Sequence, residues 1–297
     1  MSSPPLAFVK LHGIGNDFLF VDGRDLDLDL AGAPGAWLCD RHEGIGADGV
    51  LILIGTLASP EMRVVNADGS IAQMCGNGLR CFAKVLGDDY LPGADEVAVI
   101  TGKGTLGCRL WRGADGRVER VTVDMGEASF DPRVVPLAQH VDVPWIEEAV
   151  ALEGVDGRQI RVTALNTGNP HGVVFETVDA ATRLRVGPAL HDNPLFPAKA
   201  NIEFVDVLVS GADGRPRLAV EVFERGVGWT RACGTGAVAA VLAAVRTGRV
   251  AAGQDVEVRL PGGWLQIAVT PQLRATMTGP AVEVFRGEVS LPPLVRI

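Results

Sequence analysis

VNADGSIAQMCGNG at 65–78 and FERGVGWTRACGTG at 223–236 can be laid over one another without a gap. Asn66 and Glu224 each precede a cysteine, Cys75 and Cys233, by nine residues, and each cysteine opens a Cys-Gly-x-Gly sequence. In both copies a strand-like run leads to a polar residue, then a Gly-containing turn, then the cysteine, then an apolar helical segment, Leu79 to Leu86 in the first and Ala237 to Thr247 in the second. Chance recurrence of turn sequences is the bland alternative in a chain with 37 glycines. It explains a short match, but poorly explains cysteine, glycines and following helix all in step.

The likeness extends outward. GNDFLFVD at 15–22 resembles GNPHGVVF at 168–175, and TGKGTL at 101–106 resembles PGGWL at 261–265. Short apolar runs at Phe18–Val21, Gly49–Ile54, Val97–Ile100, Val121–Val123 and Ala219–Phe223 read as strands between Gly-rich turns. The expectation is a duplicated α+β architecture. Two similar domains, 1–132 and 133–282, join near the Pro-rich stretch Phe130–Pro136, with one cysteine loop each and the active site in the cleft between them.

Composition narrows the class of function. The chain has 297 residues, 47% of them hydrophobic, and a formal charge of -9. It is long enough for a large core and too acidic, without clustered Lys and Arg, for nucleic acid or an anionic membrane. MSSPPLAFVK lacks the pattern of a secretory leader, and no apolar run approaches the roughly 20 residues of a bilayer span. A cytoplasmic protein acting on a small molecule is expected. Five cysteines, at 39, 75, 81, 108 and 233, show no CxxC spacing, so free thiols are expected rather than disulfides or a metal site.

A cysteine just ahead of a helix lies beside unpaired N–H groups and the positive end of the helix dipole, which should favour its thiolate. The same first turns, Gly76-Asn77-Gly78 and Gly234-Thr235-Gly236, can hold a carboxylate, with glycine allowing close approach. Two such loops suit inversion of a carbon next to a carboxylate: one thiolate removes the proton, the opposed thiol delivers another, and no cofactor is required. Cys39, Cys81 and Cys108 read as small buried hydrophobes. Asn16, Asn66, Asn169, Asn201, His171, Glu224 and Arg225 cluster around the repeated turns and are candidates for holding substrate, although Asn in a turn is more often a backbone device. His171, in a Pro-His-Gly loop, could tune a thiol; His12, His42, His140 and His191 read as structural.

At these residues the chain resembles the diaminopimelate epimerases: HGIGNDF, NADGS, MCGNGLRC, GNPHG, ANIEFV, ERG and ACGTGA stand in that family's order over nearly the whole chain. The resemblance implies a pyridoxal- and metal-independent interconversion of LL- and meso-2,6-diaminoheptanedioate, serving lysine and peptidoglycan synthesis, and a homodimer. It implies two domains, each a strand barrel around a central helix, with a last strand near 283–297 returning to the first. Cys75 and Cys233 match the catalytic pair, and Gly76, Asn77, Gly234 and Thr235 the helix N-termini that bind the reacting carboxylate. Asn16, Asn66, Asn169, Asn201, Glu224 and Arg225 match groups that hold the amino groups and the far carboxylate, and His171 and Glu224 match groups that modulate the thiols. Trp229 stands where many relatives carry a polar residue, and Gly49 where some carry Gln.

Three alternatives remain open at this point. A proline or hydroxyproline racemase also uses two cysteines and a duplicated fold, but has His where this chain has Asn77. Phenazine-pathway proteins share the fold without both cysteines. A redox sensor would toggle a Cys75–Cys233 disulfide.

Overall fold

The computed structural model describes residues 5–26, 29–138, 141–155 and 157–292; His140 and the end of the expected last strand lie outside them. The chain divides into two compact units, Met1–Asp124 with Thr278–Ile297, and Met125–Met277.

In unit 1, β1 (Leu6–Gly13) and β2 (Asn16–Asp22) form a hairpin. After helix α1 (Ala33–Cys39), β3 (Gly49–Thr56) pairs parallel to β2, and β4 (Ser59–Asn66) antiparallel to β3. A short β5 (Ile71–Ala72) folds back on β4 and leads into helix α2 (Gly76–Val85), whose end passes into a wider π turn at Leu86–Tyr90. β6 (Glu96–Thr101), β7 (Gly104–Arg112) and β8 (Val118–Glu127) follow, β6 returning parallel to β4 and the next two antiparallel.

Unit 2 repeats this order. After β9 (Glu148–Ala151) come the hairpin of β10 (Gln159–Asn166) and β11 (Pro170–Val174), helix α3 (Ala180–His191), and β12 (Asn201–Leu208) parallel to β11. β13 (Arg217–Glu224) is antiparallel to β12, and β14 (Gly228–Thr230) folds back on β13. Helix α4 (Gly234–Arg246) leads to β15 (Asp255–Leu260), parallel to β13, then to β16 (Gly263–Val269) and β17 (Arg274–Pro280). The pairings thus run hairpin, parallel, antiparallel, hairpin, helix, parallel twice over. The final strand, β18 (Val282–Val289), pairs with β1 as β9 does with β10.

Each sheet curls around its second helix. α2 packs against β1, β2, β4 and β7, and α4 against β10, β11, β12, β13, β15 and β16. A helix with strands on several sides is apolar all round or pairs the polar groups it buries, as α2 does with Arg80 and Lys84. Ala237 to Ala244 are all buried, and the alanines keep α4 thin enough for strands to close about it. The outer face of each sheet is covered in turn. Leu30, Leu38 and Cys39 pack over Leu19, Val21, Val50 and Ile52 in unit 1; Val186, Leu190 and Phe196 pack over Val162, Val174, Ile202 and Phe204 in unit 2. Strands buried on both faces need continuous apolar runs rather than alternation, which is why VLILI and FLFV stand in β3 and β2.

Among the described residues no helix is long and apolar enough to cross a membrane. Cys39, Cys81 and Cys108 are buried free thiols, and burial pushes each of them up to about 12. Their place in the core agrees with the reading as small hydrophobes.

Candidate active site

Both helices begin earlier than the apolar runs suggest, inside the Cys-Gly-x-Gly sequences, because the cysteines themselves cap them. Cys75 (φ -137, ψ 117) and Cys233 (φ -114, ψ 107) are extended N-cap residues, and each sulfur accepts the N–H of the third helical residue: Gly78 N at 3.4 Å and Gly236 N at 3.3 Å. A thiol therefore stands where Ser or Asp would ordinarily cap, at the positive end of a helix. Its neighbours Gly76 and Asn77, or Gly234 and Thr235, occupy the first helical positions, whose N–H groups have no partner within the helix.

In unit 1 the loop of the first hairpin supplies Asn16. Its Nδ2 donates to Asp48 Oδ2 at 2.7 Å, which turns Oδ1 toward the helix; there Oδ1 lies 3.2 Å from Asn77 Nδ2 and 3.9 Å from Cys75 Sγ. Asp48 is held by Arg41, which also grips Asp17 with Lys10. Burial would push the Asp17 carboxyl up, but Arg41 and Lys10 hold it well below the usual carboxylate range. Asn77 is fixed from behind by Arg80, whose Nη2 donates to Asn77 Oδ1 at 2.9 Å. Asn66, at the end of β4, is exposed and donates to Ser70 Oγ at 3.0 Å across its turn. Cys75, Asn77 and Asn16 are thus brought together, with Asn66 at the far side of the turn leading to them.

In unit 2 the matching hairpin loop supplies Asn169 and His171. The His171 ring is fully buried, with Nδ1 2.7 Å from Glu203 Oε1 and Nε2 3.1 Å from Asn169 Oδ1. Glu224, at the end of β13, accepts the Thr230 hydroxyl; burial pushes its carboxyl up, against the pull of that donor. Asn201 is buried and its Oδ1 accepts the Arg225 backbone N–H at 2.7 Å, while the exposed Arg225 guanidinium reaches Ala198 O at 3.1 Å. Cys233 Sγ lies 3.5 Å from Thr235 Oγ1.

One expectation is corrected here. A helix N-terminus was expected to favour the thiolate, yet the Cys233 thiol is raised well above its ordinary value. Burial leads, and the carboxyls of Glu224 and Glu203 add to it, outweighing the Thr235 hydroxyl and the Gly236 N–H. Cys233 is buried, whereas Cys75 is partly open to solvent.

Trp229 packs its ring against Phe204 and Phe223, at 5.8 and 5.5 Å, and reaches α3 at Gly187, where a Cβ would come within 3.0 Å of the indole. Gly49 admits no side chain in this backbone, since a Cβ would stand 2.8 Å from Val65 O. His191 is buried, with Nδ1 2.7 Å from Ala200 O and its ring edge on Phe223. His12 takes the Gly15 N–H at 3.4 Å. Both have backbone partners, as structural residues should.

Three residues that position the site were not singled out by the sequence: Asp48, Arg80 and Glu203. For two of them a signal exists in hindsight. Arg80 interrupts a helix buried on every side, and Glu203 sits in ANIEFV between two core residues, where an unpaired charge would be costly. Gly236 is the hinge of this packing, because a Cβ there would meet Glu203 Oε1 at 2.9 Å and Cys233 Sγ at 3.2 Å. Gly236→Ala is therefore expected to lower turnover about tenfold or more by displacing thiol and carboxyl together; unchanged kinetics in the folded variant would refute this close fit.

Comparison with known proteins agrees with this geometry. The family model for diaminopimelate epimerase matches residues 8–131 and 163–284. Curated relatives of that name include those of Moorella thermoacetica, 43% identical over 96% of this chain and 99% of its own, and Leptospira biflexa, 39% identical over 96% and 99%. Among solved structures, a phenazine biosynthesis protein of the PhzF family from Bacillus anthracis matches with TM-score 0.69 at 14% identity, over 97% of this chain and 100% of that one. A probable proline racemase from Agrobacterium radiobacter matches with TM-score 0.66 at 17% identity, over 98% and 95%. These two likenesses show a common fold.

Proposed function

We propose, from the premise that the chain belongs to the diaminopimelate epimerase family, that Cys75 and Cys233 are the acid and base of its reaction. The activity is that of an isomerase, the interconversion of LL- and meso-2,6-diaminoheptanedioate. The observation that carries the two-thiol reading is the duplication itself: equivalent helices in equivalent units, each capped by a cysteine sulfur at 3.3 to 3.4 Å from the third N–H.

Inversion requires that base and acid act on opposite faces of one α-carbon. A thiolate takes the proton from one face, the carboxylate-stabilised carbanion forms, and the thiol on the other face delivers its own proton. The first-turn N–H groups beside Gly76, Asn77, Gly234 and Thr235 suit the developing negative charge on the carboxylate. Cys233, pushed up by burial, is suited to donate first. Asn16, Asn66, Asn169, Asn201, Glu224 and Arg225 would hold the amino groups and the distal carboxylate. The reaction would need no pyridoxal, because charge stabilisation at the two helix N-termini would stand in for the electron sink. A homodimer working in the cytoplasm, supplying lysine and peptidoglycan precursors, follows from the family resemblance.

The test is incubation of the reduced protein with LL-diaminopimelate in deuterium oxide, without pyridoxal or added metal. Deuterium at the α-carbon together with meso product is expected. Absence of both would overturn the assignment and make proline the next substrate to try.

A further inference from the structure

The second glycine of each Cys-Gly-x-Gly sequence marks the same point in both units, and what lies beneath it differs. A Cβ on Gly78 would stand 2.8 Å from Leu51 Cδ2, whereas one on Gly236 would stand 2.9 Å from Glu203 Oε1. The ladders give the same equivalence. β2 pairs Phe18 with Gly49 of β3, and β11 pairs His171 with Asn201 of β12. Phe18 and Leu51 therefore hold in unit 1 the places of His171 and Glu203 in unit 2. Two apolar side chains in one repeat correspond to an imidazole and a carboxyl in the other, both fully buried.

Packing alone does not call for that exchange, since unit 1 shows that Phe and Leu fill the same space. Burying a carboxyl is costly unless it is paired, and Glu203 is only half satisfied: Oε1 meets His171 Nδ1 at 2.7 Å, while Oε2 has no hydrogen-bond partner. His171 in turn faces an oxygen from each ring nitrogen, Glu203 Oε1 and Asn169 Oδ1. This fixes the ring and its protons between β12 and the substrate-side loop.

We propose that Glu203 is a positioning residue: its carboxyl, under the first turn of α4, fixes the His171 ring and stands beside Cys233, so that it sets how firmly that thiol holds its proton. Burial pushes the Glu203 carboxyl itself up, and His171 opposes that. The groups facing Cys233 are Glu203 from β12, Glu224 from β13 and the Thr235 hydroxyl of α4 itself, with His171 of β11 on the far side of Glu203. Burial first, and then both carboxyls, push this thiol in the same direction. A thiolate formed there on proton donation is disfavoured by burial and the neighbouring carboxyls, so it takes a proton from water once product has left, while the other thiol gives up to water the proton it abstracted, and the pair is reset.

This deepens the two-thiol reading and rests on it, but its test needs no substrate. Alkylation of substrate-free protein by iodoacetamide is followed against pH, with the Cys233 peptide resolved by mass spectrometry, in the wild type, Glu203→Gln and Glu203→Asp. Accessibility scales the rate at every pH alike; only charge moves the midpoint. The Cys233 midpoint is expected to fall by about one pH unit in Glu203→Gln and to stay near the wild-type value in Glu203→Asp, with kcat of Glu203→Gln down about tenfold and KM within about twofold. Should Glu203→Gln not fold, Glu203→Leu with His171→Phe, which copies unit 1, is expected to show the same fall. A Cys233 midpoint within about 0.3 unit of wild type in a folded variant would overturn the proposal.

Discussion

Cys233→Ala is expected to lose epimerisation by at least about 10³-fold, and Cys75→Ala likewise, because a positioned general acid or base contributes on the order of 10² to 10⁴ and inversion needs both. The loss is expected with the fold intact. Each cysteine caps its helix through one long N–H···S contact, at 3.4 Å for Cys75 and 3.3 Å for Cys233, so the cap is worth no more than about 1 kcal/mol. Cys233→Ser separates the two roles. Serine is a better cap than cysteine and should restore helix stability, yet its hydroxyl is too weak an acid to exchange protons with a carbon centre and activity should stay lost. Cys81→Ala is the control: a buried thiol six residues beyond Cys75 in α2, pushed up to about 12 by burial, should be replaceable with most activity kept. The measurement is the rate of meso formation from the LL isomer for the four variants, alongside their thermal unfolding. A folded Cys233→Ser within about tenfold of wild type would end the two-thiol reading.

The duplication was legible because it is written in residues with little freedom. Cysteine ahead of glycine at a fixed distance from a strand end leaves few alternative backbones, and the matched pairings of β2 with β3 and β11 with β12 are what that register demands. Strands buried on both faces also show plainly, as apolar runs too short for buried helices. The outer helices α1 and α3 were not legible. α1 carries Pro34 and Gly35 in seven residues, and α3 carries Gly187 and Pro188 with almost no amphipathic stripe; both are helical because tertiary packing over the sheet overrides weak local preference.

The candidate site divides in the same way. Groups that would meet substrate lie in the repeated turns and could be named from the sequence, whereas the groups that hold them in place lie elsewhere. Asp48 fixes Asn16 across 32 positions of chain, and Glu203 fixes His171 across the same separation. Such partners come together only once the parallel pairing of two strands is known, and local pattern carries no record of it. The Cys233 thiol shows the same limit. A helix N-terminus and Glu224 can be read from sequence, but the burial and the Glu203 carboxyl that help to outweigh the helix cannot.

Arg80→Ala is expected to cost about 3 kcal/mol of stability, among the larger single losses available in unit 1, and to weaken substrate binding as well. The guanidinium is fully buried, and burial pulls it below its ordinary value. It donates to Asn77 Oδ1 at 2.9 Å and to Pro280 O at 3.3 Å, and lies so close under the first hairpin that a Cβ on Gly13 would stand 2.8 Å from Nη2. Truncation removes a large side chain from a packed interior and leaves carbonyl acceptors without their donor, two losses that add. Arg80→Met distinguishes them: it refills most of the volume and should recover much of the stability, since a buried charge contributes little net stability once an apolar group of similar size replaces it. It should not recover binding, because Asn77 has lost the group that orients it at the second position of α2. The expected pattern is therefore a lowered urea midpoint in Arg80→Ala, a near-normal midpoint in Arg80→Met, and a KM for diaminopimelate raised several-fold in both, with kcat less affected. A normal KM in Arg80→Met would show that Asn77 keeps its orientation without the guanidinium, and would reduce Arg80 to a packing residue of the core.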